Sequence, residues 1–427
     1  MFKRVALGVS GGVDSAIAAL LLKRRGFDVQ AVFMKNWDII DETGICKSDD
    51  DYNDARYLCN KLDIPLHQVN FVKEYWNEVF CNLIKEYENG YTPNPDIMCN
   101  RNIKFNYFYK YAMEKLNVDA IATGHYARTN FGPFLGNYDS KKSVRLLRAQ
   151  DTRKDQTFFL CQISQNALKK TMFPLGDMLK WEVKHMAVEN NLEKFALKPE
   201  SMGICFIGSR NFQNFITEYI KDKSGNFVDI ETGKVVGQHR GLHQWTIGQR
   251  SKLQSVPEAL YVSRKNKKDN TIYVVPATKH PDLHTTTIIT LKPHWICSEP
   301  SELLENHILH CDFKFQHTED WVPCRVCKTS EGLVIKLDRA KRAVTPGQFA
   351  VFYKGEECLG SAVIANAGAT NFSVYYLNNK KLKKAQNLLE KMNKNEPHSF
   401  TKETKYIDNN YNANIYNNIN KVSQNYM

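Results

Sequence analysis

One stretch near the start of this chain decides its fold: Val5-Ala6-Leu7-Gly8-Val9-Ser10-Gly11-Gly12-Val13-Asp14-Ser15. Its first five residues form an apolar run that is typical of a buried strand, and a glycine-rich turn follows them. A helical pattern then runs from Ser15 to Arg25 and ends at Gly26. A second apolar run, Val29 to Met34, completes a strand–helix–strand unit. This order predicts a parallel sheet that is covered by helices.

The turn from Ser10 to Ser15 has the composition of an anion-binding loop. Gly11 and Gly12 let backbone N–H groups approach phosphates closely, and the N-terminus of the following helix adds the positive end of its dipole. The two serine hydroxyls can donate further hydrogen bonds. Asp14 would repel a phosphate unless a cation or a helix N–H satisfies it, which makes it a candidate neighbour of Mg²⁺.

This loop is not of the Walker type, because the Gly-Lys-Ser/Thr ending is missing, and it does not follow G-x-G-x-x-G either. The hexapeptide Ser10 to Ser15 instead resembles the signature of the ATP pyrophosphatases, which cleave ATP between the α- and β-phosphates. We therefore expect an α/β fold over residues 1–210. It would be a pyrophosphate-loop ATPase domain with a parallel sheet, similar to the adenine nucleotide alpha hydrolases.

The character of the chain changes after residue 210. Short segments punctuated by glycine predict a small central domain over residues 211–280. Short alternating strands between Thr285 and Tyr376 predict a C-terminal β-barrel over residues 281–380. Residues 381–427 are rich in Asn and Lys and are predicted to be a disordered tail.

The composition limits the classes of partner. A net charge of +12 favours a polyanion such as nucleic acid, although solvated surface lysines would give the same balance. No apolar stretch is long enough to span a bilayer, so we expect no membrane partner. The 11 cysteines are odd in number and irregularly spaced, which argues against a disulfide framework. Cys324 and Cys327 form one C-x-x-C without a second pair, so no zinc site is expected.

Cys99 stands in a setting that suits chemistry. It lies within Asn94 to Phe105, where prolines and asparagines precede a helix that we expect to begin near Cys99. A thiol at a helix N-terminus, close to Arg101 and Lys104, would have a lowered pKa. Asp96 is near enough in sequence to serve as an acid or a base. The alternative, that Cys99 is a small buried hydrophobic residue, stays open.

Cys205 is the second unusual cysteine. Gly203 and Gly208 bracket it, which indicates a mobile loop rather than a strand in the core. Here too, an ordinary buried cysteine between Ile204 and Phe206 stays possible on the residues alone.

Together these segments resemble the tRNA-specific 2-thiouridylases, and among them the animal mitochondrial form. The resemblance extends from Val5 to about Ile364. Besides the loop, it rests on Phe33 to Asp38, Thr92 to Phe105, Ala122 to Arg128, Lys154 to Leu160, Ser201 to Gly208 and Pro346 to Tyr353. A mitochondrial location is implied by the resemblance alone, because the N-terminus shows no amphipathic presequence.

The resemblance implies ATP-dependent 2-thiolation of the wobble uridine, U34, of tRNA. The C2 oxygen of the base would attack the α-phosphate and release pyrophosphate, and persulfide sulfur would then displace AMP. Cys205 would carry the persulfide, Cys99 would be the nucleophile that attacks it, and Asp96 would be the acid or base. Sulfur would travel as free sulfide or directly, with a Cys99–Cys205 disulfide. ATP, with Mg²⁺, would be held by Gly8, Val9, Ser10, Gly11, Gly12, Val13, Asp14, Ser15, Met34 and Gly124.

The resemblance also implies the partners: tRNA, and a cysteine desulfurase relay that delivers sulfur to a monomeric enzyme. His125 alone fits a core histidine equally well, and Lys154-Asp155 fits a surface pair. One departure is Arg325-Val326, where the family often has Arg-Tyr. The implied tRNA contacts are Asn94, Pro95, Asp96, His125, Lys154, Asp155, Gln156, Arg325 and Gln348.

Two other hypotheses remain from the sequence. A different pyrophosphate-loop ligase or amidotransferase partner would explain the loop and the sheet, but it would not need Cys99, Cys205 or a barrel. An RNA-binding module that uses ATP only structurally would tolerate the loss of either cysteine.

Overall fold

The computed structural model describes residues 2–37, 47–199, 210–251, 253, 259–370 and 372–373. All of these residues belong to one compact unit that comprises residues 1–373. The predictions for Cys205 and for the tail 381–427 fall outside the described residues.

The described strands are numbered in chain order. They are β1 (Arg4–Val9), β2 (Asp28–Lys35), β3 (Leu66–Asn70), β4 (Ala120–Thr123), β5 (Arg128–Thr129), β6 (Leu146–Leu147), β7 (Thr171–Met172), β8 (Gly225–Asp229), β9 (Val235–His239), β10 (Leu260–Asn266), β11 (Thr271–Pro276), β12 (His284–Thr290), β13 (His294–Trp295), β14 (Ile308–Lys314), β15 (Val322–Lys328), β16 (Leu333–Arg342), β17 (Phe349–Lys354) and β18 (Glu357–Asn366).

The helices are named by their residues. They are Val13–Arg24, Lys47–Leu62, Val72–Tyr75 continued by Trp76–Phe80 and Cys81–Glu88, Pro95–Cys99 continued by Asn100–Phe108 and Tyr109–Lys115, Thr157–Leu160, Gln165–Lys169, Lys180–Glu189, Glu193–Leu197, Phe212–Thr217 and Ser301–Glu305. Among the described residues, no helix is both long and apolar enough to cross a membrane.

The N-terminal sheet is parallel, as predicted, with the strand order β3-β2-β1-β4-β7. Its central strand β1 buries Val5, Ala6 and Leu7 completely, which explains why the run is apolar on both faces. The order reverses beside β1, because β2 and β3 lie on one side of it and β4 and β7 on the other. Ligands of open parallel sheets bind at the carboxyl ends of the strands beside such a reversal. Ser10 to Gly12 follow β1 at that point.

The helix that carries Cys99 begins earlier than the sequence indicated. Pro95 occupies the first turn, and the Asn94 side chain accepts a hydrogen bond from the Ile97 backbone N–H at 3.2 Å. A proline inside the first turn and an asparagine cap are strong start signals. The prediction of a helix start near Cys99 was therefore wrong. Cys99 ends the first segment, and a π-helical segment, Asn100–Phe108, continues the helix.

The central residues form a second sheet with the order β10-β11-β8-β9. It packs over a small apolar cluster of its own, which includes Phe227, Val262 and Ile272. The predicted small central domain is thus present as a separate layer with a separate core.

The C-terminal strands form an antiparallel barrel, as predicted. Its order is β12-β16-β15-β14-β17-β18, and the pairing of β12 with β18 closes it. Two short strands from the N-terminal part, β5 and β6, add to this sheet through β18. Sequence patterning did not indicate this addition, because two-residue strands carry no readable periodicity.

Candidate active site

The predicted phosphate loop is closed by its own side chains. Ser15 Oγ donates to the Gly12 carbonyl at 3.0 Å and accepts from the Ser10 backbone N–H at 3.3 Å. Gly11 has a φ of +68°, and a Cβ there would lie 2.7 Å from the Asp51 carbonyl oxygen. Only glycine fits this position, because both the backbone conformation and the space exclude a side chain.

The other residues predicted to hold ATP lie around the same loop. A Cβ on Gly8 would lie 3.1 Å from Met34 Cε. A Cβ on Gly124 would lie 2.9 Å from the Ser15 backbone nitrogen, so Gly124 packs directly against the first turn of the helix. The fold therefore brings Gly8 to Ser15, Met34 and Gly124 together at one edge of the sheet.

The cation that Asp14 requires is a lysine from a distant helix. Lys180 Nζ lies 2.6 and 2.8 Å from the two carboxylate oxygens of Asp14, and the Tyr126 hydroxyl donates to one of them at 2.9 Å. These two partners were missed from the sequence, since 166 residues separate Lys180 from Asp14. The described residues contain no group of three His, Cys, Asp or Glu side chains that could hold a metal ion.

A second remote lysine contacts the loop at Gly11. Lys198 Nζ lies 2.6 Å from Asp51, 2.7 Å from Asp54 and 3.3 Å from the Gly11 carbonyl oxygen. Burial alone would lower the pKa of Lys198, but its hydrogen bonds with the two carboxylates outweigh burial and raise it. Lys194 also pairs with Asp54, at 2.5 Å, but its side chain is 59% exposed. A loop without a lysine or arginine of its own thus has two ammonium groups beside it.

The Cys99 helix meets the sheet edge through Lys104 and His125. Lys104 Nζ lies 3.4 Å from His125 Nε2, and His125 Nδ1 lies 2.8 Å from Thr123 Oγ1. Burial, followed by the charge of Lys104, holds the pKa of His125 well below its usual value. The neutral ring can then accept from Lys104 and donate to Thr123. His125 is thus a buried, hydrogen-bonded histidine next to the site.

Asp96 and Cys99 lie on the same helical segment. Cys99 is 8% exposed, and Asp96 is half-buried in the first turn. Burial raises the pKa of Asp96, and the charge of Lys104 opposes that rise. A carboxyl group with a raised pKa can exchange a proton closer to neutral pH than an ordinary one.

The barrel touches the loop that precedes this helix. Gln348 Nε2 donates to the Thr92 carbonyl at 2.7 Å and to the Pro93 carbonyl at 3.3 Å. Gly347 has a φ of +94°, and a Cβ there would lie 2.9 Å from the Thr92 backbone nitrogen. Gln348, an implied tRNA contact, therefore lies beside Asn94 and Pro95, which have an implied contact to the target base.

The remaining implied RNA contacts differ in exposure. Asp155 is only 4% exposed, and its carboxylate accepts from the Ala149 backbone N–H and the Thr157 hydroxyl. Gln156 accepts from the Tyr126 backbone N–H at 2.9 Å. Arg325 is exposed on β15 of the barrel. The Asp155 carboxylate is thus turned inward, whereas Arg325 is available to a partner.

A pyrophosphate-type loop at the reversal point of a parallel sheet, joined to a central sheet and a barrel, defines a nucleotide-dependent α/β enzyme of multidomain architecture. Family models match three segments: a tRNA methyl transferase HUP domain over residues 3–209, a tRNA methyl transferase PRC-barrel domain over residues 213–276, and an aminomethyltransferase β-barrel domain over residues 285–364. At the level of the full chain, the protein belongs to the tRNA-specific 2-thiouridylase family.

Two relatives support this membership over almost their whole length. Mitochondrial tRNA-specific 2-thiouridylase 1 of Gallus gallus is 50% identical over 397 residues, which cover 87% of this chain and 94% of that protein. The Homo sapiens protein of the same name is 46% identical over 389 residues, covering 87% and 92%. A solved 4-thiouridine synthetase–RNA complex with bound ATP is 18% identical, with a TM-score of 0.31, and covers 49% of this chain and 46% of that one.

These findings confirm the predicted family and the predicted class of enzyme, a tRNA sulfurtransferase. The relatives carry the mitochondrial designation in their names, which confirms the assignment to the mitochondrial form.

Proposed function

We propose that this protein uses ATP to replace the C2 oxygen of the tRNA wobble uridine, U34, by sulfur. One observation carries the proposal: the helix with Asp96 and Cys99 packs at the same sheet edge as the phosphate loop. A Cβ on Gly8 would lie 3.5 Å from Phe108 of that helix, and Lys104 of the same helix reaches His125 after β4. An activated base at the loop would thus lie close to a nucleophile and an acid–base group.

The first chemical step is adenylation. The C2 oxygen attacks the α-phosphate of ATP, pyrophosphate leaves, and Asp96 accepts the proton from N3 of the base. Activation is required because AMP leaves from C2 far more readily than an oxygen would alone. The loop N–H groups stabilise the pyrophosphate, and Lys180 and Lys198 supply the positive charge that the loop lacks.

Mg²⁺ would enter with ATP, because this ion usually binds phosphates and only one or two carboxylates. Asp14 is the carboxylate at the loop and would be its protein ligand. Both carboxylate oxygens of Asp14 contact Lys180, so the lysine and the ion would share this side chain.

The second step transfers sulfur. Cys205 carries a persulfide from a cysteine desulfurase relay, and the Cys99 thiolate attacks its inner sulfur. The outer sulfur leaves as hydrosulfide and attacks C2, either free or within the closed site. AMP departs, the transferred sulfur loses its proton to solvent, and Asp96 returns the proton to N3. A Cys99–Cys205 disulfide remains, and a thiol reductant must reopen it before the next turnover.

tRNA would bind by charge and by contacts at the site. A wobble base is single-stranded in the anticodon loop, so it can be extruded at modest cost. Asn94, Pro95 and Asp96 would contact the base. His125, Lys154, Gln156, Arg325 and Gln348 would contact the tRNA, and Asp155 would position its neighbours through its buried carboxylate. We propose that one monomer in the mitochondrion performs the reaction.

The test is a reconstituted thiolation assay with tRNA, ATP and a persulfide donor. We expect Cys99→Ser and Cys205→Ser each to abolish 2-thiouridine formation while tRNA-dependent pyrophosphate release continues. Cys81→Ser, which alters an exposed cysteine, serves as the matched control and should retain thiolation. Full thiolation by either of the first two variants would exclude the two-thiol mechanism.

A further inference from the structure

The fold pairs two cysteines that the sequence does not pair. Cys324 and Cys327 form the C-x-x-C, but three residues along a strand place two side chains on opposite faces. Cys311 on β14 instead lies directly opposite Cys324 on β15 in the antiparallel register. Their sulfur atoms are 3.6 Å apart. The barrel therefore contains a cross-strand dithiol that does not include Cys99.

This pair satisfies the geometric conditions for a disulfide. Directly opposite residues of antiparallel strands have Cα atoms about 4.5–5.5 Å apart, which lies within the range that disulfides span. Bond formation would require the two sulfurs to approach by about 1.5 Å, to roughly 2.05 Å. Side-chain rotation and a small strand adjustment can supply a movement of this size.

Cys311 and Cys324 are also among the residues that line a cavity of about 530 Å³. Cys311 is half-buried and Cys324 is 3% exposed, so Cys311 is the sulfur that a small molecule would reach first. Arg325, Lys354 and His310 lie in the cavity wall, beside Asp312 and Asp338. Such a wall suits a small ligand that carries carboxylates and an ammonium group. The pKa of the Cys311 thiol is raised by its contact with Cys324 and by burial, so Cys311 is protonated at neutral pH.

We propose that Cys311 and Cys324 form a thiol–disulfide exchange site that accepts a small peptide disulfide of the glutathione type. The Cys311 thiol gives up its proton, and its sulfur attacks the ligand disulfide and releases one glutathione thiol. Cys324 then gives up its proton, attacks the Cys311 sulfur and releases the second. Two protein thiols and one glutathione disulfide become one protein disulfide and two glutathione molecules. In the mixed-disulfide intermediate, the carboxylates of the bound glutathione lie beside Arg325.

The test uses the full chain, incubated with glutathione disulfide, alkylated and analysed by peptide mass spectrometry. We expect a Cys311–Cys324 disulfide in the wild type while Cys327 remains alkylated. Cys324→Ser should trap a stable glutathione adduct on Cys311, because the resolving thiol is missing. Cys327→Ser is the matched control and should form the wild-type bond. Exposed Cys81 reports that the reagent is active. The proposal is overturned if Cys81 is modified while both barrel thiols stay alkylatable, or if Cys324→Ser carries no adduct on Cys311.

Discussion

The ammonium nitrogen of Lys198 lies 3.3 Å from the carbonyl oxygen of Gly11, although 187 residues separate them in the chain. Asp51 and Asp54 hold this ammonium group in place beside the phosphate loop. Lys180 pairs with Asp14 of the same loop. The loop therefore obtains from tertiary structure the cations that a Walker loop carries in its own sequence.

Replacement of Lys198 should slow adenylation. In Lys198→Met we expect tRNA-dependent pyrophosphate release to fall by about 10- to 100-fold, because a charge-assisted hydrogen bond to the leaving group contributes about 1.5–3 kcal/mol. Lys194→Met is the matched control, since Lys194 also pairs with Asp54 but is mostly exposed. Equal rates of pyrophosphate release in the two variants would show that Lys198 only stabilises the fold through its ion pairs with Asp51 and Asp54.

Replacement of Lys180 should weaken the use of ATP. Without this ammonium group, the Asp14 carboxylate faces the phosphates with less neutralisation, so we expect Lys180→Met to raise the KM for ATP by about tenfold. Steady-state pyrophosphate release at varied ATP measures this value. Lys184→Met, one helical turn further, should leave the KM unchanged. An unaltered KM in Lys180→Met would contradict the assignment.

The pH dependence of adenylation should report Asp96. Burial raises the pKa of this carboxyl group, and only its ionised form can accept the N3 proton, so the rate should rise as pH passes through a value above the usual carboxyl range. In Asp96→Asn this rise of the rate with pH should be absent. Lys104→Met should move it to higher pH, because the charge of Lys104 lowers the Asp96 pKa.

Lys110→Met changes an exposed lysine of the same helix and is the control for Lys104→Met. Its rate profile should coincide with that of the wild type. If the rise of the rate with pH stays at the same pH in Lys104→Met, Lys104 does not act on the pKa of Asp96.

The central sheet makes a separate prediction about stability. Burial lowers the pKa of Lys265 from 10.5 to about 7, and its Nζ donates a hydrogen bond to the Trp245 carbonyl at 2.8 Å. Between these two pH values the unfolded chain binds a proton that the folded chain does not, so rising pH stabilises the folded state. The slope is about 1.4 kcal/mol per pH unit.

Lys265→Met should therefore be more stable than the wild type at pH 7, and the difference in the free energy of unfolding should shrink toward pH 9. Urea unfolding of both proteins across this range measures it. The exposed Lys268→Met should show no such trend. A constant difference between wild type and Lys265→Met would contradict a neutral buried lysine.

Local patterns were enough to predict the sheet, the loop and the barrel. The run Val5 to Val9 and the turn Ser10 to Ser15 are contiguous, so their periodicity and glycines can be read directly. The start of the Cys99 helix was misplaced because Pro95 and its Asn94 cap were interpreted as part of the loop.

Pairings between distant residues could not be read from one sequence. Lys180 and Lys198 look like ordinary helix lysines until the fold places them beside Asp14 and Gly11. The same holds for Cys311 and Cys324, whose partnership depends on strand register. The sequence shows only that Cys324 and Cys327 form a C-x-x-C, because spacing reports neighbours along the chain and not partners across strands.

The central claim is that the C2 oxygen of the wobble uridine becomes bonded to the α-phosphate. It can be tested with tRNA that carries ¹⁸O at C2 of that base, incubated with the enzyme, ATP and a persulfide donor. The account predicts that AMP released with 2-thiouridine contains the ¹⁸O in its phosphate group, because sulfur displaces that oxygen together with AMP. Unlabelled AMP, with the ¹⁸O in water or pyrophosphate, would contradict adenylation of the base.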